Sequence, residues 1–161
     1  GRNAGEDVIY SGTIAGAMEG CALGIPSIAM SQCYDEGGRH AIDWSAGEAH
    51  GADTVRKLVA AGWPTGTLIN VNFPGCPADQ VKGVKVVPQG KYDLQSTEIE
   101  ERTDARQRAY YWIGLRRRKS TPPPDSDVGA VYDNHIAVTP LHLNLTEQAV
   151  LQTLGKALTK G

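Results

Sequence analysis

The residues with the clearest chemistry lie within the first 13 positions, where the glycine-rich segment Gly1–Gly5 leads towards Ser11-Gly12-Thr13. This triplet lies where a helical pattern of apolar residues begins. A helix N-terminus presents free backbone N–H groups and the positive end of the helix dipole, and both suit a phosphate group. A triplet of this kind in isolation is more often a simple helix cap. Two roles therefore stay open for it: a helix cap and a phosphate-binding turn.

Two adjacent acidic residues, Glu6 and Asp7, precede this triplet. A pair of carboxylates can serve as catalytic acid and base, but consecutive residues rarely point at one centre. Both residues lie just upstream of a helix, where negative charge complements the dipole. We therefore expect a structural role for Glu6 and Asp7.

The histidines and cysteines suggest no metal site and no disulfide framework. The four histidines have no tight metal-ligand spacing, so we expect no joint zinc site and assign them no role: His40, His50, His135 and His142. Cys21, Cys33 and Cys76 are odd in number and show no CxxC spacing. Their pattern fits a reducing compartment, and we expect a cytoplasmic protein.

A basic and aromatic run lies in the second half of the chain, where Tyr110, Tyr111 and Trp112 precede Arg116–Lys119. Aromatic rings stack on bases and arginine pairs with phosphate, so the run could form a platform for a nucleotide or nucleic acid. Such a run is more often a solvated strand edge or a subunit contact. We favour the second interpretation.

Composition narrows the class of protein. The chain has 161 residues, is 40% hydrophobic and carries a formal net charge of −2, which fits one globular domain. Proteins that bind nucleic acid or acidic membrane surfaces in a general way carry an excess of basic residues, which this chain does not have. We therefore expect neither nucleic acid nor a membrane as a partner. No run approaches the roughly 18 to 20 apolar residues that a membrane span requires. We expect the protein to act on a small molecule.

The first half of the chain alternates helical and strand patterns. Apolar residues recur at helical spacing over 13–23, and Gly24 is the expected helix stop. The short apolar segments 25–31 and 68–73 predict buried strands, and the alanine-rich stretch 43–62 predicts a second helix. This alternation predicts an α/β fold with a mostly parallel, doubly wound sheet and helices on both faces.

The second half changes character. A β-branched segment over 82–88 and an apolar segment over 136–140 predict two further strands. Residues 106–118 mix polar and aromatic side chains at near-alternating spacing, which is typical of an exposed antiparallel strand. The proline-rich stretch 121–127 predicts a stiff loop. The region 106–118 therefore predicts an arm and not a core.

A last helix is predicted near the C-terminal end. Asn144 and Glu147 have the spacing of a capping box. The apolar residues that follow would share one helix face: Val150, Leu151, Leu154 and Leu158.

The motif that runs from Gly1 to Thr13, Gly-x-Asn-x-Gly-Glu-Asp-Val-Ile-Tyr-Ser-Gly-Thr, closely resembles the phosphate-site segment of the SurE family of stationary-phase survival 5′/3′-nucleotidases. A dozen consecutive matching positions are far more specific than a lone glycine pattern. The likeness continues in order through most of the chain, in these segments: Ala17–Gly20, Gly24–Ala29, Asn70–Pro74, Asp127–Val131 and Ile136–Leu141.

The resemblance implies a Rossmann-like fold and an enzyme, a metal-dependent phosphohydrolase that removes phosphate from nucleoside 5′- or 3′-monophosphates. Short polyphosphate is a further substrate that it implies. Asn3, Ser11, Gly12 and Thr13 match the family's phosphate contacts. An oxygen-rich site of carboxylates and amides would suit Mg²⁺ or Mn²⁺ better than zinc.

The family's metal ligands match no residue of this chain. They include an Asp-Asp pair, and all of them are expected upstream of Gly1, so no metal ligand and no catalytic residue is assigned here. We expect the chain to be the C-terminal portion of a longer enzyme, to which it supplies the phosphate-binding half of the site. The alternative is a catalytically incompetent fragment that acts as an oligomerisation module.

The resemblance also implies an organisation in two parts. Residues 1–90 would form the C-terminal part of the Rossmann-like nucleotidase domain. Residues 91–161 would form an extended hairpin arm, a returning strand and a terminal helix. The family exchanges the hairpin and the terminal helix between subunits, so a homodimer or homotetramer is expected.

Overall fold

A computed structural model describes residues 1–34, 42–91, 94–117 and 122–158, without the side chains of 94–98 and 114–117. Its helices are a 3₁₀ helix Gly5–Tyr10, α1 Gly12–Ala22, α2 Ser45–Ala61, a 3₁₀ helix Ala78–Gln80, α3 Asp127–Tyr132 and α4 Gln148–Leu158. Its strands are β1 Ile28–Gln32, β2 Thr67–Phe73, β3 Gly83–Val86, β4 Leu94–Thr103, β5 Ala109–Arg117 and β6 His135–His142.

Four strands form the central sheet in the order β1-β2-β6-β3. The pairs β1–β2 and β6–β3 are parallel, and the pair β2–β6 is antiparallel. The mostly parallel sheet that the sequence predicts is therefore confirmed. The antiparallel pairing of β2 with β6 was not predicted, because strand patterns do not specify the direction in which a strand enters a sheet.

Helices cover both faces of this sheet, as predicted. Side chains alternate between the two faces of a strand, and in β2 Leu68 packs with Ile14 of α1, whereas Ile69 and Val71 pack with Ala46 of α2. Every residue of β2 is buried. This strand is the centre of the core and separates the α1 layer from the α2 layer.

Local signals account for the element boundaries of the first half. Helix α1 ends at Ala22, and Gly24 follows with a φ of +76° that a non-glycine residue rarely adopts. Strand β1 begins at Ile28, later than predicted. Pro26 lacks a backbone N–H for a ladder, and the Ser27 hydroxyl donates to the Ile25 carbonyl at 2.9 Å. Residues 25–27 therefore lie between α1 and β1 and form neither helix nor strand.

The arm predicted over 106–118 is confirmed by an antiparallel hairpin of β4 and β5. Ile99 lies opposite Ile113, and both side chains are mostly exposed. The hairpin stands apart from the central sheet, since its strands pair with each other. Residue 118 lies outside the described residues.

The C-terminal region contains one missed helix and one wrong prediction. Helix α3 was not predicted, because it has six residues and directly follows the proline-rich stretch. The capping box is wrong: Asn144 Oδ1 accepts from the Thr146 N–H at 2.9 Å, and Glu147 Oε1 accepts from the Ala149 N–H at 3.0 Å. Glu147 thus caps α4 itself, and the helix begins at Gln148.

The returning strand β6 belongs to the predicted second segment, 91–161, but lies between β2 and β3 of the first. The division into 1–90 and 91–161 stays a prediction. None of the helices that the structure describes is both long and apolar enough to cross a membrane.

Candidate functional site

A cleft of about 570 Å³ opens between the start of α1 and the end of β1. All four residues predicted to bind phosphate line it, namely Asn3, Ser11, Gly12 and Thr13. Four aromatic or charged residues line it as well, together with Gly1 and Ile42: Arg2, Asp7, Tyr10 and Tyr34. The structure therefore brings the predicted residues to one cavity.

The Ser11-Gly12-Thr13 turn serves as the N-terminal cap of α1. Ser11 Oγ accepts a hydrogen bond from the Ile14 N–H at 3.1 Å. An α-helix leaves its first N–H groups without a partner inside the helix. The Ser11 hydroxyl accepts from only one of them, the N–H of Ile14. The amides of Gly12 and Thr13 remain on the cleft wall, and both residues are exposed. The cap and an anion site are thus compatible in one turn.

Asn3 is held in place by three polar residues of the sheet. Its N–H donates to Asn72 Oδ1 at 2.7 Å, and its carbonyl accepts from Asn70 Nδ2 at 2.7 Å. Its side-chain amide also donates to Ser31 Oγ. Asn70 and Asn72 are fully buried, and Ser31 is nearly so. Both the backbone and the side chain of Asn3 are therefore fixed against the sheet.

Gly5 is anchored by the buried carboxylate of Asp127. Asp127 Oδ2 accepts from the Gly5 N–H at 3.0 Å, while Oδ1 accepts from the N–H groups of Gly90 and Val128, each at 2.7 Å. Burial raises the pKa of Asp127, and the three N–H donors act in the opposite direction. Gly5 has a φ of +57°, which glycine adopts without strain. Asp127 thus joins the segment before α1 to α3.

Arg2 brings positive charge to the cleft wall. Its Nε lies 3.7 Å from Asp7 Oδ2, and its Nη1 donates to the Tyr132 hydroxyl at 3.1 Å. The guanidinium also lies 5.2 Å from the centre of the Tyr132 ring. These contacts hold the guanidinium in a defined position. A fixed cation beside the helix-opening amides suits an anionic ligand.

The sequence did not reveal the other cleft residues. Arg2 directly precedes Asn3 and Tyr10 directly precedes Ser11. This adjacency was the one signal in the sequence that could have placed them in the cleft. Tyr34 and Ile42 lie more than 20 positions further on, and no motif connects them to the turn. Asp7, for which we expected a structural role, lies on the cleft wall beside Arg2.

Comparison with known proteins identifies the family. The family model described as "Survival protein SurE" matches residues 1–96. The chain belongs to the SurE family. The matched residues include the whole cleft and the strands β1, β2 and β3.

Proteins called 5′-nucleotidase SurE are similar to nearly the whole chain. Those of Parvibaculum lavamentivorans and Brucella anthropi are each 48% identical to it over 98% of its length. The chain covers 57% of the first protein and 61% of the second, so it spans about 60% of the length of these SurE relatives.

A solved SurE structure supports the fold. The crystal structure of the SurE protein from Aquifex aeolicus matches with a TM-score of 0.77 and 37% identity. The match covers 98% of this chain and 61% of that protein. The order of helices and strands found here is therefore that of the corresponding part of a SurE protein.

The described residues do not build the metal site that the SurE resemblance implies. Among residues 1–34, 42–91, 94–117 and 122–158, no group of three or more His, Cys, Asp or Glu side chains could hold a metal ion. Asp7 lies on the cleft wall, but its carboxylate faces Arg2. The ligands that the resemblance expects upstream of Gly1 match none of these residues.

Among the described residues, no histidine or cysteine lines the cleft. His50 contacts the Ala78 carbonyl and His135 that of Asp133, His142 is exposed on β6, and His40 lies outside the described residues. Cys21, Cys33 and Cys76 are buried and form no disulfide.

The basic and aromatic run is described only in part. Tyr110, Tyr111 and Trp112 are exposed on β5. Arg118 and Lys119 lie outside the described residues, as do the side chains of Arg116 and Arg117.

Proposed function

We propose that this chain supplies the phosphate-binding part of a nucleotidase that removes phosphate from nucleoside 5′- or 3′-monophosphates and from short polyphosphate. One observation carries the proposal: the helix-opening turn, Asn3 and Arg2 line the same cleft. The names of the SurE relatives, 5′-nucleotidase, support the reaction class.

The cleft residues suit the demands of phosphate monoester hydrolysis. The transferred group is already highly charged, so catalysis consists largely of positioning and of stabilising charge on its oxygens. The amides of Gly12 and Thr13 and the Thr13 hydroxyl supply neutral donors. Arg2 adds positive charge, with donors in a planar fork that matches a phosphate. This chain would bind and orient the phosphoryl group.

A divalent cation, Mg²⁺ or Mn²⁺, is part of the proposal. When bound, such an ion supplies Lewis-acid stabilisation of a phosphoryl oxygen. The carboxylates that would hold it are expected outside the residues of this chain. The contribution assigned to this chain is therefore anion binding and orientation, and the choice of nucleophile is not assigned.

We also propose that the protein is a cytoplasmic homodimer or homotetramer that assembles through the hairpin and α4. The apolar face of α4 is at least half exposed at Val150, Leu151, Leu154 and Leu158. Monomeric proteins rarely expose contiguous apolar faces of this kind. Three buried cysteines that form no disulfide support a reducing compartment. No role in binding nucleic acid or membrane is proposed.

The exposed arm also favours the second candidate function, an assembly module without activity of its own. Ile99, Tyr111, Trp112 and Ile113 of the hairpin are each more than half exposed. Such a module would need the arm but not the cleft. The two candidates therefore differ in whether a change in the cleft affects any measurable activity.

Substitution of Thr13 tests the nucleotidase proposal. In the full-length protein, Thr13→Val should lower kcat/KM for AMP by about 10- to 100-fold, since one hydrogen bond to a charged group is lost. The unfolding temperature should change little, because Thr13 is exposed. Thr153→Val on the exposed side of α4 is the matched control. Equal activity of Thr13→Val and the control would remove the turn from the mechanism.

A further inference from the structure

Helix α3 contacts the N-terminal segment of the chain at both of its ends. At the start of the helix, the Asp127 carboxylate accepts from the Gly5 N–H at 3.0 Å. At its end, the Tyr132 hydroxyl accepts from Arg2 Nη1 at 3.1 Å. Arg2 and Gly5 lie on either side of Asn3, which lines the cleft. One helix therefore fixes the segment before and after this proposed phosphate contact.

The backbone of Tyr132 is fixed because the helix that precedes it is buried. Residues 127–131 are all buried, and the Ser126 hydroxyl caps the helix by accepting from the Gly129 N–H at 3.1 Å. The side chain of Tyr132, in contrast, is an exposed one at 59%. Its contacts with Arg2 therefore lie outside the core, on a backbone that the core holds in place.

Tyr132 contacts the guanidinium of Arg2 in two ways. The hydroxyl accepts one hydrogen bond, and the guanidinium lies 5.2 Å from the centre of the ring, which is within the range of a cation–π interaction. Both groups of the tyrosine are uncharged. Tyr132 therefore orients the guanidinium without offsetting its positive charge.

Asp7 is the carboxylate beside the same guanidinium. Its Oδ2 lies 3.7 Å from Arg2 Nε, whereas a charge-assisted hydrogen bond between such groups measures about 2.7–2.9 Å. A tighter pair with Asp7 would offset the charge of Arg2 more strongly. A neutral partner on the other side, Tyr132, favours the observed separation.

A fixed guanidinium binds an anion more tightly than a mobile one. Arginine has many rotamers, and the ordering of such a side chain when a ligand binds reduces the affinity. The Arg2 side chain is only 15% exposed, and its contacts with Tyr132 order it before any ligand arrives. The cost of ordering then falls on folding and not on binding.

We propose that Tyr132 is a positioning residue for phosphate binding, which holds the guanidinium of Arg2 at the wall of the cleft. The inference rests on the proposed nucleotidase function, in which Arg2 adds positive charge for the phosphoryl group. Tyr132 is not among the described residues that line the cleft. It would therefore act through Arg2 and not by contact with the substrate.

A double-mutant cycle between Arg2 and Tyr132 tests the proposal in the full-length protein. Calorimetric titration gives the affinity for orthophosphate, at a temperature at which all variants are folded. Arg2→Ala should lower it about 10- to 100-fold, because a hydrogen bond to a charged group is lost. Tyr132→Leu should lower it about 2- to 10-fold, as expected when one long side chain must be ordered on binding. In the Arg2→Ala background, Tyr132→Leu should have no further effect.

The cycle distinguishes positioning from a merely structural role. A structural role of Tyr132 would lower the affinity by the same factor whether or not Arg2 is present, and this result would overturn the inference. An unchanged affinity in Tyr132→Leu would overturn it as well. Tyr132→Phe removes only the hydroxyl and should show a smaller loss. If Tyr132→Leu does not fold, the same cycle with Tyr132→Phe decides between these outcomes.

Asp133→Asn is the matched control at the same end of α3. Asp133 directly follows Tyr132, and its carboxylate contacts Lys82 and Lys85. This variant should bind orthophosphate as the unmodified protein does. A loss equal to that of Tyr132→Leu would contradict the inference, because any change at this end of the helix would then disturb the cleft.

The rate of AMP hydrolysis separates this inference from the function on which it rests. Coupled losses of orthophosphate affinity in a protein that does not hydrolyse AMP would support the role of Tyr132 and refute the nucleotidase function. Hydrolysis of AMP by a protein in which Arg2 and Tyr132 act independently would support the function and refute the role of Tyr132.

Discussion

The carboxylate of Asp127 accepts a hydrogen bond from the backbone N–H of Gly5 at 3.0 Å, although 122 positions separate the two residues. Asp127 is fully buried at the start of α3, and Gly5 belongs to the segment that leads into the cleft. The same carboxylate accepts from Gly90. One side chain therefore connects the segment that carries Asn3 to two distant parts of the chain.

Asp127→Asn should destabilise the protein and weaken phosphate binding together. An asparagine amide would place a donor against one of the N–H groups that the carboxylate now accepts. A buried donor left without an acceptor costs about 1 to 3 kcal/mol. Chemical denaturation measures the loss in free energy of unfolding, and calorimetric titration measures the affinity for orthophosphate.

The exposed Asp125 provides the control for this substitution. It lies two residues away in the loop before α3. Asp125→Asn should leave both the stability and the affinity near those of the unmodified protein. A stable Asp127→Asn variant that binds orthophosphate normally would contradict the anchoring role.

Asn72→Ala should release Asn3 from the sheet. The Asn3 N–H would lose its acceptor at 2.7 Å while it remains buried, at a cost of about 1 to 3 kcal/mol. A weaker affinity for orthophosphate should accompany the loss in stability, because Asn3 lines the cleft. Asn144→Ala, on the exposed chain before α4, is the control. The role of Asn72 is refuted if its substitution lowers stability without any effect on orthophosphate affinity.

Gly129 is required where α3 packs against the proline-rich loop. A Cβ at this position would overlap the backbone carbonyl of Pro123. Backbone cannot move aside as a flexible side chain can, so Gly129→Ala should cost about 1 to 3 kcal/mol of unfolding free energy. Gly155→Ala in α4, where the added Cβ would meet no other element within 4 Å among the described residues, should stabilise that helix instead. Thermal unfolding compares the two variants, and equal effects would be inconsistent with this packing.

Asp133 should contribute to the acid dependence of stability. Hydrogen bonds from Lys82 and Lys85, at 2.5 and 3.1 Å, lower the pKa of Asp133 from 3.8 to about 2. A pKa lowered by folding stabilises the folded state above the unfolded value of 3.8, and the contribution is lost as the pH falls through about 2.

Asp133→Asn should therefore lower the unfolding temperature slightly at neutral pH and have no effect below pH 2. The effect is small because the pair is exposed and screened by salt. Unfolding temperatures measured against pH, at low and high salt, check both the pH dependence and the screening by salt. A difference between variant and unmodified protein that grows as the pH falls would have the wrong sign.

Deletion of residues 100–119 tests the proposed assembly. It removes all of β5 and the end of β4 but none of the residues that line the cleft. Analytical ultracentrifugation of the deleted protein should show monomers, while orthophosphate still binds. Retention of the oligomer would show that the arm is not the assembly element.

Much of the fold could be predicted because short-range signals agree with the final packing. Three of these signals each act over a few residues: the apolar run of β2, the helical spacing of apolar residues in α1, and the glycines that follow α1 and α2. The register between strands, the direction of β6 and the existence of α3 depend on contacts across the whole chain. Asn144 and Glu147 show the limit, since their spacing fits a capping box that tertiary structure does not form.

The candidate site was predictable only where its residues belong to one continuous motif. Asn3 and Ser11–Thr13 belong to one motif, so the sequence indicated them. Tyr34 reaches the same cleft from the end of β1, and Asp127 reaches Gly5 from α3, 122 positions further along the chain. Asn72 reads in the sequence as part of a buried strand, and only the structure shows that its amide holds Asn3.

The most direct test of the central claim is a crystal structure of the protein soaked in orthophosphate. The account predicts an anion in the cleft, within hydrogen-bonding distance of the Gly12 and Thr13 amides and beside Asn3. An anion bound only elsewhere, or a cleft closed by one of its own side chains, would contradict it.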